Sequence, residues 1–142
     1  MEKAAWAHSE ADIIIHLGDG GQDFEAVRAL FPAKTLCLVR GNSDWGADAP
    51  VVDMLTVQGK RIFFAHGHTF QVKLSTEAIE TEARRMGAHI LLFGHTHVPM
   101  THYADGLYLL NPGSISLPRA GRASYGVVDI TDAGIVTRIV ML

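Results

Sequence analysis

Short apolar segments alternate along this chain with segments of helical character. Runs rich in β-branched residues and leucine predict strands at residues 11–17 (ADIIIHL), 34–40 (KTLCLVR) and 89–93 (HILLF). Helices are predicted where polar and apolar positions have helical spacing, between plausible capping residues and a proline or glycine stop. These helical segments are residues 1–10, residues 23–31 before Pro32, and residues 75–87 ending at Gly87.

Three further segments predict antiparallel hairpins, because two apolar runs flank a short glycine-containing turn in each. They are residues 51–66, 100–114 and 124–142. Helices that alternate with strands and are followed by hairpins predict an α/β fold, in which β-sheets stack and helices lie outside them. The predicted turns are Gln58-Gly59-Lys60, Ala104-Asp105-Gly106 and Asp132-Ala133-Gly134.

Length, composition and charge restrict the classes of protein that fit. A chain of 142 residues predicts a single domain over 1–142, long enough to bury roughly 68–70% of its unfolded surface. With 48% hydrophobic and 19% charged residues it is typical of a globular protein. A net charge of -3 provides neither a basic stripe for nucleic acid nor a polybasic membrane patch.

The lone cysteine, Cys37, lies inside the apolar run TLCLV and has no second cysteine to pair with. We interpret it as a small buried hydrophobic residue rather than a nucleophile. The first ten residues are too polar for a signal peptide, and no apolar run approaches the roughly 18 residues of a membrane span. These features favour a cytoplasmic protein.

Polar residues with glycine beside them follow five of the predicted strands. The strands end in GDGGQD, GNSD, HGH, GHTH and NPGS. A single Gly-Asp pair or histidine in such a place is ordinarily a turn or a solvated side chain. Five coincident strand ends favour a ligand site instead, since ligands of open α/β sheets gather beyond the carboxyl ends of the strands. The candidate ligands are Asp19, Asn42, His66, His95 and His97.

Oxygen and nitrogen donors without a thiolate suit divalent manganese, iron, cobalt, nickel or zinc. Two such ions about 3.5–4 Å apart are a common device of phosphate ester hydrolysis, because they hold the phosphate and lower the pKa of a bound water. This explains why His95 and His97 lie only two residues apart in the sequence, since each can hold a metal ion. The pattern predicts metal-dependent phosphoester chemistry.

In this order GDGGQD, GNSD, HGH, GHTHVP and NPGSISLPR resemble the calcineurin-like metallophosphoesterases, and the small YfcE-type phosphodiesterases most of all. The resemblance implies a four-layer α/β/β/α sandwich with two divalent ions, Mn²⁺ foremost, and a bridging hydroxide that attacks a phosphoester substrate. It implies that Asp19 bridges both ions and that His97 serves the first. Asn42, His66 and His95 complete the second site, and catalysis is assigned to Asp19, Asn42 and His66.

Two departures from that family pattern stand out. The family begins with a strand that ends in Asp-x-His and supplies two ligands of the first ion, and this chain has no Asp-x-His. The first ion is then expected to keep only Asp19 and His97, and unpaired strand edges are expected to favour a homo-oligomer. Many relatives also have a histidine that protonates the leaving group where this chain has Ser43.

Other polar residues near the motifs have weaker assignments. His68 and Arg119 are candidate substrate contacts, against the alternatives of a solvated loop histidine and a surface arginine. Asp44 is expected to cap or orient its loop rather than to bind metal. The remaining histidines are assigned to structure or surface, namely His8, His16, His89 and His102.

Three functional hypotheses remain open at this point. The first is a metal-dependent phosphodiesterase or phosphatase. The second is a protein-binding scaffold with weakened or no catalysis, since the same fold occurs in a retromer scaffold subunit. The third is an N-terminally shortened form of an active enzyme, such as a misplaced start codon would give. Joint retention of the five candidate ligands favours the enzyme.

Overall fold

The computed structural model describes residues 1–44, 48–119 and 121–142, without the side chains of residues 21 and 22. Helices and strands alternate in the first half of the chain, and hairpins end it. The helices are α1 (Glu2–Ala7), α2 (Gly21–Leu30) and α3 (Glu77–Arg85), with a 3-10 turn at His68–Phe70. The strands are β1 (Ile13–His16), β2 (Thr35–Leu38), β3 (Val52–Val57), β4 (Lys60–Ala65), β5 (Ile90–Phe93), β6 (Met100–Ala104), β7 (Leu107–Asn111), β8 (Ser124–Thr131) and β9 (Gly134–Met141).

A five-stranded sheet of order β3-β4-β5-β7-β6 lies at the centre of the fold. Its three middle strands are parallel, and the hairpin partners β3 and β6 complete it in antiparallel fashion. Because parallel strands end at the same edge, the segments after β4, β5 and β7 meet there. These segments begin with His66, Gly94 and Pro112.

Side chains alternate between the two faces of this sheet, as the two-residue period of a strand requires. One face carries Phe63, Leu91 and Leu109, which pack against Ile79 and Ala83 of α3. The opposite face buries another apolar set, consisting of Ile62, Phe64, Ile90, Leu92 and Leu110. Both faces of β4, β5 and β7 are therefore apolar, and the runs that encode them are almost unbroken.

The second face is covered by two separate two-stranded sheets, β1-β2 and β8-β9. Ile15 and Cys37 of the first and Val128 and Ile139 of the second pack on it. Helices α1 and α2 lie outside β1-β2, where Ala5, Val27 and Phe31 pack with Ile14 and Leu36. The order of layers is helix, sheet, sheet, helix, which confirms the predicted four-layer α/β sandwich.

The predicted elements are all present, with shifted ends. Helix α1 stops at Ala7 rather than residue 10, and α2 begins at Gly21 rather than Asp23. The first hairpin turns on Gln58 and Gly59, both with positive φ, and the second on Asp105 and Gly106 in the same way. Two-residue turns of this kind match the right-handed twist of the paired strands.

Strand β1 is less buried than its sequence suggests. Its residues IIIH are all half-buried, whereas the residues ILLF of β5 are all buried. Within the described residues, β1 forms ladder hydrogen bonds with β2 only. One edge of this apolar strand is therefore unpaired in that part of the chain.

Cys37 lies on β2 and is partly buried against the central sheet. Burial, together with the nearby charge of Asp53, raises the pKa of the Cys37 thiol. A raised pKa disfavours the reactive thiolate. Cys37 therefore packs on the sheet as predicted, but it is half-buried rather than fully buried. Among the helices that the structure describes, none is long and apolar enough to cross a membrane.

Candidate metal centre

Four of the five predicted ligands meet around one atom, Nε2 of His66. Asn42 Oδ1 lies 2.9 Å from it, His95 Nδ1 3.0 Å and Asp19 Oδ2 3.3 Å. Each comes from the segment after a different strand, since β1, β2, β4 and β5 all end on this side of the molecule. His66 is only 2% exposed, and Asp19 is 23% exposed, so the cluster is open to solvent on one side.

A backbone carbonyl group fixes the orientation of the His66 ring. Its Nδ1 donates a hydrogen bond of 2.7 Å to the carbonyl oxygen of Leu17. Burial lowers the pKa of His66, which favours the neutral ring with its single proton on Nδ1. Nε2 then presents a lone pair towards the oxygens of Asn42 and Asp19. Electron-pair donors face one another there, which is the arrangement a bound cation would stabilise.

Two glycines allow the loops after β1 and β2 to approach closely. A Cβ on Gly41 would lie 2.1 Å from Asp19 Oδ1, and one on Gly18 would lie 2.9 Å from His66 Nδ1. Gly18 also has a φ of +98°, a conformation that side-chain-bearing residues rarely adopt. The glycines of GD and GN are thus required for the contact itself.

Asp44 holds these two loops together. Its Oδ2 accepts the backbone N–H groups of Asp19 at 2.7 Å and of Gly41 at 2.8 Å. Burial raises the pKa of Asp44, but hydrogen bonds from the Gly41, Asp19 and Gly20 backbones outweigh it and the net pKa is lowered. Asp44 therefore stays ionised, and its predicted role in orienting the loop is confirmed.

Three candidate ligands have a left-handed backbone. The φ angles of Asp19, His95 and His97 are 57°, 68° and 58°. Such conformations cost on the order of 1–3 kcal/mol each and cluster at functional sites. Asp and His tolerate them better than most residues. The other non-glycine residues with positive φ in the described chain lie in hairpin turns or at the end of the 3-10 turn.

His68 adjoins the cluster. Its ring centroid lies 5.3 Å from that of His66 and 6.2 Å from that of His95. Its Nδ1 is buried and finds no hydrogen-bond partner among the described residues. A buried polar atom without a partner is costly and favours a ligand next to it. The structure thus brings this candidate substrate contact to the site.

His97 and Arg119 lie together in a neighbouring loop. His97 Nδ1 donates to the carbonyl oxygen of Leu117 at 2.8 Å, and the backbone N–H of Arg119 donates to the carbonyl oxygen of His97 at 3.2 Å. No hydrogen bond between described residues joins the His97 side chain to the cluster at His66. The bond to Leu117 leaves Nε2 of His97 as its free acceptor.

Across residues 1–44, 48–119 and 121–142, no group of three or more His, Cys, Asp or Glu side chains is spaced to hold a metal ion. The acidic and imidazole side chains instead contact one another directly, with the amide of Asn42 among them. The residues nevertheless fit a divalent ion: the donors are oxygen and nitrogen, two face the lone pair of His66, and His68 Nδ1 lacks a partner.

The site disfavours protonated histidines. The pKa of His95 is lowered from 6.5 to about 4, because of burial and of unfavourable electrostatic interactions of a charged ring with His66, Lys73 and His68. Burial likewise lowers the pKa of His16, whose Nδ1 accepts the Gly18 N–H at 3.1 Å. Neutral imidazoles are the form that binds metal.

These shifts predict that the metal-free protein loses stability in acid. Below about pH 6.5 the unfolded chain takes up protons that folded His16, His66 and His95 cannot yet accept, so the free energy of unfolding falls with falling pH. For His95 the loss extends from pH 6.5 down to about 4. Urea unfolding with a chelator at several pH values measures it. His95→Gln should flatten the profile, and an unchanged slope would contradict the assignment.

Several residues of the site were not predicted from the sequence. Leu17 contributes a carbonyl oxygen, which no side-chain pattern reveals. Asn111 is fully buried at the end of β7 and contacts the loop of His95 through Gly94 and Thr96. The position of Asn111 in NPGS, directly after LYLL, indicated the end of a strand, but the sequence pattern indicated no role for its side chain.

The chain is thus an α/β/β/α sandwich in which histidine, aspartate and asparagine side chains gather beyond the strand ends. Residues 1–133 match the calcineurin-like phosphoesterase superfamily domain, and the chain belongs to that family. The resemblance inferred from the motifs is confirmed.

Named relatives agree with this assignment. The chain is 30% identical over 132 residues to the probable metallophosphoesterase YsnB of Bacillus subtilis, covering 92% of this chain and 75% of YsnB. It is 29% identical over 106 residues to the phosphodiesterase YfcE of Escherichia coli, covering 68% of this chain and 54% of YfcE. Vacuolar protein sorting-associated protein 29 of Schizosaccharomyces pombe is 39% identical over 79 residues, with 56% and 42% covered.

A solved structure shares the whole architecture. A conserved uncharacterized protein of Streptococcus pneumoniae TIGR4, described as a predicted phosphoesterase, superimposes with a TM-score of 0.83 and 27% identity. The match covers 99% of this chain and 80% of that one. The chain thus spans the matched fold while covering about half of YfcE and less than half of the sorting protein.

Proposed function

We propose that this chain is a divalent-metal-dependent phosphoesterase that hydrolyses phosphodiesters. The convergence of Asp19, Asn42 and His95 on the lone pair of His66 Nε2 is the observation that carries the proposal. A scaffold has no need of electron-pair donors turned towards one another, since water or a donor group would satisfy them at lower cost. A bound cation would remove the repulsion between these electron pairs.

In this proposal Asp19, Asn42, His66 and His95 hold the second ion, and Asp19 and His97 contribute to the first. Bound divalent ions supply a low-pKa water and neutralise charge on the phosphate oxygens. The nitrogen and oxygen donors suit Mn²⁺, which we propose as the ion, and equally Ni²⁺, Co²⁺, Fe²⁺ or Zn²⁺. The Leu17 and Leu117 carbonyls would orient His66 and His97 for this task.

Two residues are proposed to contact the phosphoester itself. His68 places a buried Nδ1, which has no hydrogen-bond partner in the described part of the chain, beside the cluster, where a phosphate oxygen or its ester group would satisfy it. Arg119 is exposed, and its backbone N–H is hydrogen-bonded to His97. Its guanidinium can donate two parallel hydrogen bonds to phosphate oxygens. Both act by binding and orienting the substrate.

The loop beside Asp19 predicts a preference for activated esters. Ser43 donates its backbone N–H to Asp19 Oδ1 at 2.9 Å, and its hydroxyl is too weak an acid to protonate a basic leaving group. We expect Mn²⁺-dependent hydrolysis of bis-p-nitrophenyl phosphate at least about 100-fold faster than that of a dialkyl phosphate. Release of p-nitrophenol and of the free alcohol measures the two rates.

The same assay tests the function itself. Activity should vanish with a chelator and return with added Mn²⁺, and an Asp12→Ala variant should behave like the parent because Asp12 precedes the far end of β1. A protein that binds Mn²⁺ yet cleaves none of these esters would refute the phosphoesterase proposal.

A protein-binding role is the second candidate, and the unpaired edge of β1 within the described residues favours it. Apolar strand edges pair with other chains, including further copies of the same one. The similarity to a protein whose name places it in vacuolar sorting points the same way. Concentration-dependent association without metal-dependent hydrolysis would favour this candidate over the enzyme.

A further inference from the structure

The carboxamide of Asn111 is one of the most completely used polar groups in the described chain. Asn111 is 0% exposed. Its Nδ2 donates to the carbonyl oxygen of Gly94 at 3.1 Å and to Thr96 Oγ1 at 2.9 Å. Its Oδ1 accepts the Gly113 N–H at 3.0 Å. Bulk solvent does not reach a group this buried, so losing it would leave its partners unpaired.

These bonds reach the loop that follows β5. Strands β5 and β7 are parallel neighbours, with Leu92 opposite Leu110, so Asn111 lies beside the end of β5. Gly94 is held by both of its backbone polar groups, because its N–H donates to the carbonyl oxygen of His66 at 2.9 Å while its carbonyl oxygen accepts from Asn111 Nδ2. Asn111 is thus connected to the backbone of His66 through a single residue, Gly94.

Thr96 extends the chain of hydrogen bonds into the turn. Its Oγ1 accepts from Asn111 and also from the Val98 N–H at 3.1 Å. Thr96 stands between His95 and His97, which both have positive φ. A backbone of this kind persists only where surrounding contacts fix it. The hydrogen bonds that join Asn111, Thr96 and Val98 therefore fix the backbone around the two histidines.

We propose that Asn111, through Thr96, is a positioning residue that holds the His95–His97 turn in the conformation needed to present both imidazoles to divalent metal. This role rests on the proposed function. Among the described residues, the side chain of Asn111 donates to the backbone of Gly94 and the hydroxyl of Thr96 and not to the rings of the candidate ligands, so it acts on them through the turn. Partners of this outer kind typically change metal affinity 10- to 100-fold.

Two variants and a matched control test the proposal. Asn111→Ala removes all three bonds, and Thr96→Val removes the hydroxyl while keeping the shape of the side chain. Ser124→Ala is the control: Ser124 is 1% exposed and donates to the carbonyl oxygen of Pro112, next to Asn111, without reaching the histidine turn. Each full-length protein is titrated with Co²⁺ by visible absorption, and amide hydrogen exchange is measured metal-free.

We expect Asn111→Ala and Thr96→Val to weaken Co²⁺ binding at least about tenfold and to speed exchange of the Val98 amide, whereas Ser124→Ala lowers stability alone. Thr96→Val decides the matter if Asn111→Ala does not fold. Affinity within threefold of the parent, or an equal loss in Ser124→Ala, overturns the proposal. If the parent binds no Co²⁺, the proposed function fails; faster Val98 exchange confined to the first two variants would still support positioning, and equal exchange in all would overturn it.

Discussion

Replacing Asp19 with alanine should reduce metal-dependent hydrolysis at least about 100-fold. Loss of an outer-shell partner already costs 10- to 100-fold in comparable sites, and Asp19 is proposed to touch metal directly. Its Oδ2 lies 3.3 Å from His66 Nε2, while its Oδ1 accepts the Ser43 N–H. Initial rates with bis-p-nitrophenyl phosphate at saturating Mn²⁺, with metal affinity from calorimetry, give the loss.

Asp12→Ala is the matched control for this variant. It removes the same charge from the residue before β1, whereas Asp19 follows the carboxyl end of that strand. Asp12 is exposed, so its loss should change neither rate nor metal affinity. An Asp19→Ala protein as active as the parent would remove the carboxylate from the mechanism and leave the proposed centre without its anionic ligand.

Most of the fold could be predicted because its signals are local. The runs ADIIIHL, KTLCLVR and HILLF are too short and too β-branched for helices, and Asp-Gly at 105–106 specifies a two-residue turn. The ends of α1 and α2 could not be placed as well, because helix ends depend on tertiary contacts as much as on propensity.

For the cluster around His66, the sequence predicted which residues would lie together but not how their atoms would be arranged. Parallel strands bring their carboxyl ends to one edge, which is why Asp19, Asn42, His66 and His95 were expected to be neighbours. The sequence holds no information on which nitrogen of His66 faces the others, since that depends on the carbonyl oxygen of Leu17, the residue that follows β1. The same reasoning explains why the contacts of Asn111 were missed.

His97 shows where spacing alone is insufficient. Its separation of two residues from His95 predicted that both imidazoles serve one centre. The intervening turn has positive φ at both histidines, and the side chain of His97 bonds to Leu117 rather than to the cluster at His66. Its role as a ligand of the first ion therefore stays a prediction.

Gly41→Ala should be the most damaging substitution that changes no polar group. Its Cβ would lie 2.1 Å from Asp19 Oδ1, 2.7 Å from Asp19 Cγ and 2.8 Å from the Asp19 backbone nitrogen. Rotating the carboxylate relieves the first two contacts, but the third involves main chain, so the loops after β1 and β2 must separate. Overpacking of this kind costs about 1–3 kcal/mol of stability.

Separation of the loops would also break the Asp44 bonds to Gly41 and Asp19 and move the carboxylate away from His66. Because displacements near 1 Å can cost about 100-fold in rate, we expect Gly41→Ala to lose at least that much activity and to bind Mn²⁺ weakly. Gly59→Ala separates this effect from simple destabilisation, since Gly59 has positive φ in a remote hairpin turn with open space around it. That control should unfold more easily yet keep its metal affinity. Parent-like Mn²⁺ binding and hydrolysis by Gly41→Ala would mean that the site works with Asp19 elsewhere than beside His66.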